Sequence, residues 1–247
     1  MVKSGNVVVH RDGVVARVVI DRENVRNALN ADVIDELAEV ARELRHDRGI
    51  RAVVLHGAGS CFCAGADKND QRIFVDSSEP SRFLDSVNHG HEMVKLWGEL
   101  PQVTIAAIEG AAVGGGLTLA MACDMRVMAE TSFVFVPELE LKVAYGWRSV
   151  PRLVRLIGPS RTKRLILMAE RVPAEKAVMW GLGDELVPHG KAVETALEWA
   201  QLVANKPAEA VGFIKKGVNA IANVFDEIGG YADSEQMLAA YVIAKAG

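Results

Sequence analysis

The first part of the chain alternates between short valine-rich runs and a longer segment with helical spacing. Residues 7–9 and 14–20 are rich in valine and flank an Arg-Asp-Gly sequence at 11–13, a pattern that predicts a β-hairpin. Residues 31–44 place apolar side chains close to helical spacing, and Asn30 just before them is a residue type that caps helix N-termini. The chain therefore opens with a predicted hairpin followed by an amphipathic helix.

The same succession of strand and helix continues along the chain. Three more apolar runs predict buried strands, at residues 52–55, 103–108 and 125–129. A predicted helix that ends near Trp97 separates the first two runs, and a short apolar helix that follows Gly114-Gly115-Gly116 separates the last two. Repetition of strand, helix and strand indicates an α/β fold with at least partly parallel pairing.

Helical patterns dominate after Arg148. They predict helices over residues 148–157, 160–169, 174–180, 191–204 and 207–222. Pro173 and Gly181 fit the two ends of the third of these helices, and residues 185–187 predict a short strand. We therefore expect a core over residues 1–190 and a C-terminal helical region over residues 191–247, which packs on another subunit or back over the core.

Composition narrows the functional classes. Half of the 247 residues are apolar and 24% are charged, as in a globular protein with a core. With 28 Lys+Arg against 32 Asp+Glu, the net charge of −4 gives no electrostatic reason to expect nucleic acid or an anionic membrane as partner. The longest uncharged run, residues 110–123, is too short and too rich in glycine to span a bilayer, and the N-terminus shows no signal-peptide pattern. A cytoplasmic location is expected.

The three cysteines predict neither a disulfide framework nor a metal site. Cys61 and Cys63 stand one residue apart, without a Cys-x-x-Cys motif or a nearby pair of histidines. Cys123 lies in an apolar run, where a small core residue is the simplest interpretation. We therefore expect no bound metal.

Three short segments carry the candidate chemistry. Residues 61–67, Cys-Phe-Cys-Ala-Gly-Ala-Asp, follow a predicted strand, and their small side chains let backbone N–H groups approach a ligand, although a plain tight loop has the same composition. Residues 108–117 place three glycines at a helix start, where bare N–H groups suit an oxyanion, and match neither a phosphate-binding loop nor a dinucleotide motif. Glu138 follows an apolar run, and partial burial there would raise its pKa towards that of a general base, the alternative being a surface glutamate.

In this order the three segments resemble the crotonase (enoyl-CoA hydratase/isomerase) superfamily. The resemblance extends from residues 20–29 to about Val187. It implies a crotonase-like spiral core built from ββα repeats, with residues 1–190 binding an acyl-CoA thioester and the helical residues 191–247 serving oligomerisation. It further implies a homotrimer or a dimer of trimers, and coenzyme A as part of the substrate rather than as a permanently bound cofactor.

The resemblance also assigns roles to residues of the two glycine-rich segments. The backbone N–H groups of Ala66 and Gly115 would hold the thioester oxygen, and an enolate needs such donors more than the ground state does. The positions that match the family's loop in contact with coenzyme A are Ala64, Ala66, Asp67 and Lys68. Arg22, Arg26 and Lys68 are the nearby cations that would meet its phosphates, the alternative being solvated surface charge.

Two departures from the family pattern leave the reaction and the carrier open. Family hydratases carry two glutamates; here the first position is Thr118, whose hydroxyl could orient water, and the second is Glu138. A single carboxylate suits transfer of a proton from C2 to C4 of a 3-enoyl thioester, so an isomerase is favoured slightly over a hydratase. The C-terminus lacks the family's aromatic and basic segment, with Lys245 as a partial substitute, which admits a carrier-protein thioester.

Further hypotheses concern the surroundings of Glu138 and the function as a whole. Glu140 would share a face with Glu138 on an extended segment and could assist it, although a structural role is the preferred interpretation. Tyr145 and Trp147 would line the acyl pocket. The alternative to an enzyme is a catalytically weak protein that binds acyl-CoA or an acyl-carrier thioester.

Overall fold

The computed structural model describes residues 2–75, 79–230 and 232–246, and it leaves the side chains of 2–4, 227–229 and 244–246 undescribed. Lys245, the partial substitute named above, therefore has its side chain outside the described part. No helix among the described residues is long and apolar enough to cross a membrane.

Ten strands are formed by the described residues. They are β1 Val2–Ser4, β2 Val7–Asp12, β3 Val15–Ile20, β4 Ala52–Gly57, β5 Val103–Ile108, β6 Ala111–Val113, β7 Met125–Ala129, β8 Phe133–Phe135, β9 Val172–Pro173 and β10 Glu185–Val187. Seven of them form one sheet in the order β1-β2-β3-β4-β5-β7-β10, and β6, β8 and β9 form a second, small sheet. In the large sheet β1, β2 and β3 pair antiparallel and every later pair is parallel. The predicted hairpin and the predicted parallel pairing are thus confirmed.

Helices fill the connections between strands and cover the sheet. In the described part of the chain they are α1 Ala31–His46, α2 Pro80–Gly98, α3 Gly115–Ala122, α4 Ser149–Leu167, α5 Ala174–Trp180, α6 Ala192–Ala204, α7 Ala208–Ala222, α8 Val224–Gly229 and α9 Asp233–Ala246. The side chain of Asn30 accepts a hydrogen bond from Val33 N at 3.0 Å and so caps α1 as predicted. The two helices predicted on either side of residue 158 form α4, which is broken at Gly158 with φ +75°.

The large sheet has an apolar core on each face. On one face, side chains such as Val18 and Leu55 pack with the buried faces of α1 and α2. On the other face the strands pack with α6, whose Ala192, Ala196, Ala200 and Ala204 are buried at four-residue spacing. A row of alanines allows a helix axis to lie close to a sheet. The division predicted at residue 190 stays a prediction, and α6 lies back over the core.

The small sheet brings the end of β5 to the start of α3. β6 pairs parallel with β8, and β8 pairs antiparallel with β9. Strands of two or three residues carry no periodicity, and the sequence did not predict this sheet. Its consequence for the site is positional, because β6 ends directly before Gly114 and α3 begins at Gly115.

Candidate active site

The loop that follows β4 presents one backbone donor to a cavity. Cys63 N donates to Ala111 O at 2.9 Å and Val113 N donates to Cys63 O at 3.0 Å, so the loop is fastened to β6. Further along, Leu29 N donates to Gly65 O and Asp67 N donates to Leu29 O, both at 2.8 Å. In such a parallel bridge the residue between the two partners turns its own N–H to the other side. The N–H of Ala66 therefore points away from Leu29, and Ala66 lines the cavity.

The start of α3 presents a second donor to the same cavity. Gly115 is the first residue of this helix, where an N–H has no acceptor within the helix. Gly114 before it has φ +48°, a conformation that favours glycine. A Cβ on Gly65 would lie 2.9 Å from Val113 O and 3.9 Å from Gly115 N, so the two glycine-rich segments meet at this point. The two segments singled out in the sequence are thus brought together.

Glu138 faces these donors from the turn that follows β8. Its Oε2 is buried and has no hydrogen-bond partner among the described residues. Its Oε1 lies close to the start of α3, since a Cβ on Gly114 would come within 2.5 Å of it. Burial raises the pKa of Glu138 to about 7, opposed only weakly by its own backbone N–H and by the charge of Lys68. At neutral pH this carboxyl can both accept and donate a proton, as the sequence predicts.

Thr118 lies on α3, one turn beyond Gly115, and is fully buried. Its Oγ1 lies 2.7 Å from Ser149 Oγ, 2.9 Å from Tyr145 Oη and 3.2 Å from Gly114 O. The position that carries a glutamate in family hydratases therefore holds a hydroxyl that is engaged inside the protein. Among the described residues that line the cavity, Glu138 is the one carboxylate, and the other polar side chains are Lys68, Ser86, Thr118, Tyr145 and Tyr241.

Apolar and aromatic side chains from α2, from α9, from residues 73–75 and from the turn after Glu138 form most of the rest of the cavity wall. Tyr145 and Trp147 belong to this wall, which confirms their predicted place. Phe83 of α2 stacks on Tyr241 of α9 with ring centroids 5.5 Å apart, and Met237 of α9 also lines the cavity. An acyl chain would thus meet a largely apolar surface on the side away from the two N–H donors.

The hypothesis that Glu140 assists Glu138 is wrong. Residues 138–142 form a turn, in which Leu141 N donates to Pro137 O at 3.1 Å and Val143 N donates to Glu138 O at 2.9 Å. The two-residue alternation of an extended segment does not apply to a turn. The side chain of Glu140 is exposed and is absent from the cavity wall.

The remaining predicted binding residues belong to the loop at the mouth of the cavity or, in the case of Arg26, are hydrogen-bonded to that loop. Ala64 and Lys68 line it, and the exposed Arg26 holds the loop through its carbonyl, which accepts from Ala64 N at 3.0 Å. Asp67 forms an ion pair with Arg22 at 3.0 Å, and both side chains are largely buried. Asp67 therefore braces the loop from within, whereas Lys68 and Arg26 present exposed charge.

Comparisons with known proteins agree with this geometry. The profile of the enoyl-CoA hydratase/isomerase family matches residues 10–246. The chain is 34% identical to a short-chain-enoyl-CoA hydratase of Clostridium acetobutylicum over 87% of its own length and 81% of that protein. It is 34% identical to an enoyl-CoA isomerase/hydratase of Mycosarcoma maydis over 85% of its length and 78% of that protein. The crystal structure of an enoyl-CoA hydratase from Bacillus anthracis superposes with a TM-score of 0.84 at 32% identity, over 97% of this chain and 92% of that one.

The chain belongs to the enoyl-CoA hydratase/isomerase family. Its fold is the crotonase fold, with the spiral core that the resemblance implied. Among the described residues, no group of three or more His, Cys, Asp or Glu side chains could hold a metal ion.

Sequence reasoning missed two parts of the site in this family member. The first is α9, which closes the cavity with Met237 and Tyr241; their four-residue spacing is a signal for a shared helix face, but not for what the face covers. The second is the position of the Trp147 ring, which packs directly on Gly90 and Gly115. A Cβ on Gly90 would lie 2.1 Å from this ring and one on Gly115 would lie 2.6 Å from it.

Proposed function

We propose that this chain is an acyl-CoA enzyme that forms an enolate of the thioester. The N–H groups of Ala66 and Gly115 hold the thioester oxygen, and Glu138 moves the proton. The observation that carries the proposal is the position of Glu138, which lies beside the start of α3 in a largely apolar cavity. Its Oε2 is buried without a hydrogen-bond partner among the described residues, and its pKa is raised to about 7. Negative charge that develops on the oxygen would meet donors already in place, which lowers the barrier to deprotonation.

Within this chemistry, isomerisation of a 3-enoyl thioester to the 2-enoyl thioester is the favoured reaction. Glu138 takes a proton from C2, the electrons of that C–H bond delocalise onto the thioester oxygen as a dienolate, and the protonated Glu138 returns a proton to C4. One carboxyl is sufficient for both transfers. In the two-carboxylate pattern of family hydratases a second group helps to hold the water, and here the hydroxyl of Thr118 at that position is already engaged with Tyr145 and Ser149.

Hydration remains the second candidate, supported by the hydratase names of most relatives. A water held by Glu138 alone would give up a proton to this carboxylate as its oxygen bonds to C3 of a 2-enoyl thioester, and the protonated Glu138 would deliver that proton to C2 of the resulting enolate. The alternative from a different class is a protein that binds acyl thioesters with little turnover. The raised pKa of Glu138 argues against that class, since a pure binding site has no need of a group that titrates near neutrality.

The test is incubation with 3-enoyl-CoA and with 2-enoyl-CoA in D₂O, for wild type and for Glu138→Gln side by side. Deuterium that enters the acyl chain only with wild type assigns enolate chemistry to Glu138. An unchanged elemental composition apart from deuterium identifies an isomerase, and gain of one water identifies a hydratase. Binding of both thioesters without exchange or product in wild type would favour the binding protein.

We further propose that the chain assembles as a homotrimer or a dimer of trimers through its C-terminal helices. No residue of α7 is buried, and Phe213, Val218 and Ile221 on it are 75%, 58% and 81% exposed. Phe225 of the next helix, α8, is also exposed, at 68%. Apolar patches of this kind mark protein interfaces. Size-exclusion chromatography with light scattering tests the assembly, and a stable monomer would contradict it.

A further inference from the structure

Three hydroxyl groups lie together behind the start of α3, and the proposed function uses none of them. They belong to Thr118, Tyr145 and Ser149, which are 0%, 5% and 0% exposed. Two of them are within hydrogen-bond distance of the carbonyl oxygen of Gly114. Burying three hydroxyls costs free energy unless each finds a partner, so the pattern of their partners is informative.

Because each hydroxyl of the cluster has one proton, its contacts indicate which hydroxyl donates to Gly114 O. Ser149 Oγ donates to Gly146 O in a short contact, and the shortest contact of Thr118 Oγ1 is with Ser149 Oγ, at 2.7 Å. The proton of Tyr145 is then the one that points to Gly114 O, at 3.1 Å. Burial raises the pKa of Tyr145 further above its ordinary value, so this phenol stays protonated and remains a donor.

The acceptor of that bond and the proposed oxyanion donor belong to the same peptide group. In a planar trans peptide the carbonyl of Gly114 and the N–H of Gly115 point in opposite directions. A hydrogen bond at the carbonyl end therefore fixes the direction of the N–H end and polarises it, since bonds in a chain strengthen one another. Gly114 O also accepts from Thr118 N at 3.0 Å in the first turn of α3, so the phenol is a second donor, on the other lone pair of this carbonyl.

We propose that Tyr145 is a positioning residue that orients and polarises the N–H of Gly115 by donating a hydrogen bond to the carbonyl oxygen of Gly114. The inference rests on the proposed function, in which this N–H holds the thioester oxygen. Thr118 leaves this acceptor to the phenol, because its own proton is used in its shortest contact, with Ser149 Oγ. The threonine in place of the hydratase glutamate thereby joins the support of the oxyanion donor.

The test measures the strength of the donor directly. Butanoyl-CoA labelled with ¹³C at the thioester carbonyl cannot isomerise or hydrate, and its C=O stretching frequency falls when the oxygen accepts stronger hydrogen bonds. We expect wild type to lower this frequency relative to the free ligand, and Tyr145→Phe to recover part of the difference. Exchange of the C2 protons in D₂O should slow about tenfold, less than the ~10²–10³-fold loss expected when a donor itself is removed. The Kd for butanoyl-CoA should change less than about twofold, because the donor acts mainly on the enolate.

Ser149→Ala is the matched control, because it removes a hydroxyl of the same cluster that does not contact Gly114 O. It should keep the wild-type frequency and exchange rate. Replacement of Tyr145 by 3,5-difluorotyrosine keeps the shape and strengthens the donor, so the frequency should fall further; this variant serves where Tyr145→Phe does not fold.

The outcomes separate the two proposals. A wild-type frequency in Tyr145→Phe, an equal change in Ser149→Ala, or no effect of the fluorinated tyrosine would overturn the role of Tyr145 and leave the proposed function standing. No lowering of the frequency by wild type would overturn the oxyanion donors themselves.

Discussion

Two largely buried glutamates, one at each end of the segment that contains β6, α3, β7 and β8, differ in what surrounds their carboxylates. Glu109 follows β5, and its oxygens accept hydrogen bonds from Gly190 N at 3.2 Å and Ala192 N at 3.0 Å. It also lies 3.3 Å from His189 Nδ1. Glu138 follows β8, and one of its oxygens is buried without a partner among the described residues.

The difference indicates what makes a buried carboxyl available for chemistry. Glu109 ties the N-terminus of α6 to the end of β5, so its acceptors are occupied by the fold and its negative charge meets the positive end of a helix. Glu138 lines a cavity, and its Oε2 stays available for the proposed proton transfer. Both carboxylates are largely buried, and Glu138 is distinguished by an oxygen, Oε2, that has no hydrogen-bond partner among the described residues.

The largest expected effect comes from breaking the chemistry and not the fold. Glu138→Gln should lower the rate of C2 exchange by about 10³-fold, within the ~10²–10⁴ that a general acid–base group contributes. The free energy of unfolding should not fall, since the change removes a buried charge whose oxygen has no partner. Exchange kinetics and urea denaturation check both parts, and a variant that keeps its exchange rate would contradict the assignment.

The same substitution at the other glutamate should do the opposite. Glu109→Gln leaves one of the two backbone N–H groups of Gly190 and Ala192 without an acceptor and gives the other a neutral one, so we expect a loss of about 2 kcal/mol in the free energy of unfolding. The exchange rate per folded molecule should stay within about twofold, because Glu109 is absent from the cavity wall. A larger fall in rate with unchanged stability would mean that the contrast between the two glutamates is misjudged.

The pH dependence sharpens the contrast further. Because the pKa of Glu138 is raised from 4.5 to about 7, its basic form increases as pH rises through 7, and kcat/KM for C2 exchange should rise with it. The folded state holds a proton that the unfolded state has released between these two values, so stability falls as pH rises from about 4.5 to about 7. Glu138→Gln should flatten both profiles relative to wild type. Urea midpoints across this range that are equal in the two proteins would contradict the raised pKa.

The smallest expected effect concerns the charges at the mouth of the cavity. Lys68→Ala and Arg26→Ala should each raise KM for a CoA thioester severalfold at low salt, as exposed ion pairs contribute up to about 1 kcal/mol. Neither should change KM for the corresponding thioester of pantetheine, which lacks the nucleotide phosphates. Equal effects on the two substrates would argue that these cations do not contact the nucleotide.

The sequence predicted most of the large sheet because its strands are long apolar runs between turn signals. It also predicted the meeting of the two glycine-rich segments and the burial of Glu138, the latter from the apolar run before it. It failed for Glu140, because an extended strand was assumed where Leu141 N and Val143 N close a turn. The turn has no glycine or proline after Glu138 to signal it.

The hydroxyl cluster and the closure by α9 were beyond prediction for a different reason. Tyr145 and Thr118 are 27 residues apart, and nothing local to either residue indicates the other. α9 has a weakly amphipathic sequence, and what it covers is set by the packing of Met237 against Gly146 rather than by its own pattern. Such long-range pairs arise from tertiary packing.

The packing of the Trp147 ring on Gly90 limits how related sequences can diverge at these two positions. Gly90 lies on α2 and Trp147 in the turn before α4, yet the ring occupies the place where a side chain at position 90 would be. Trp147 itself adopts φ +59°, so neither partner can move far to make room. Positions 90 and 147 should therefore drift together in evolution, with bulk at one accompanied by its loss at the other. Glycine-to-alanine at 90 should become neutral only in a background where the tryptophan has already been lost.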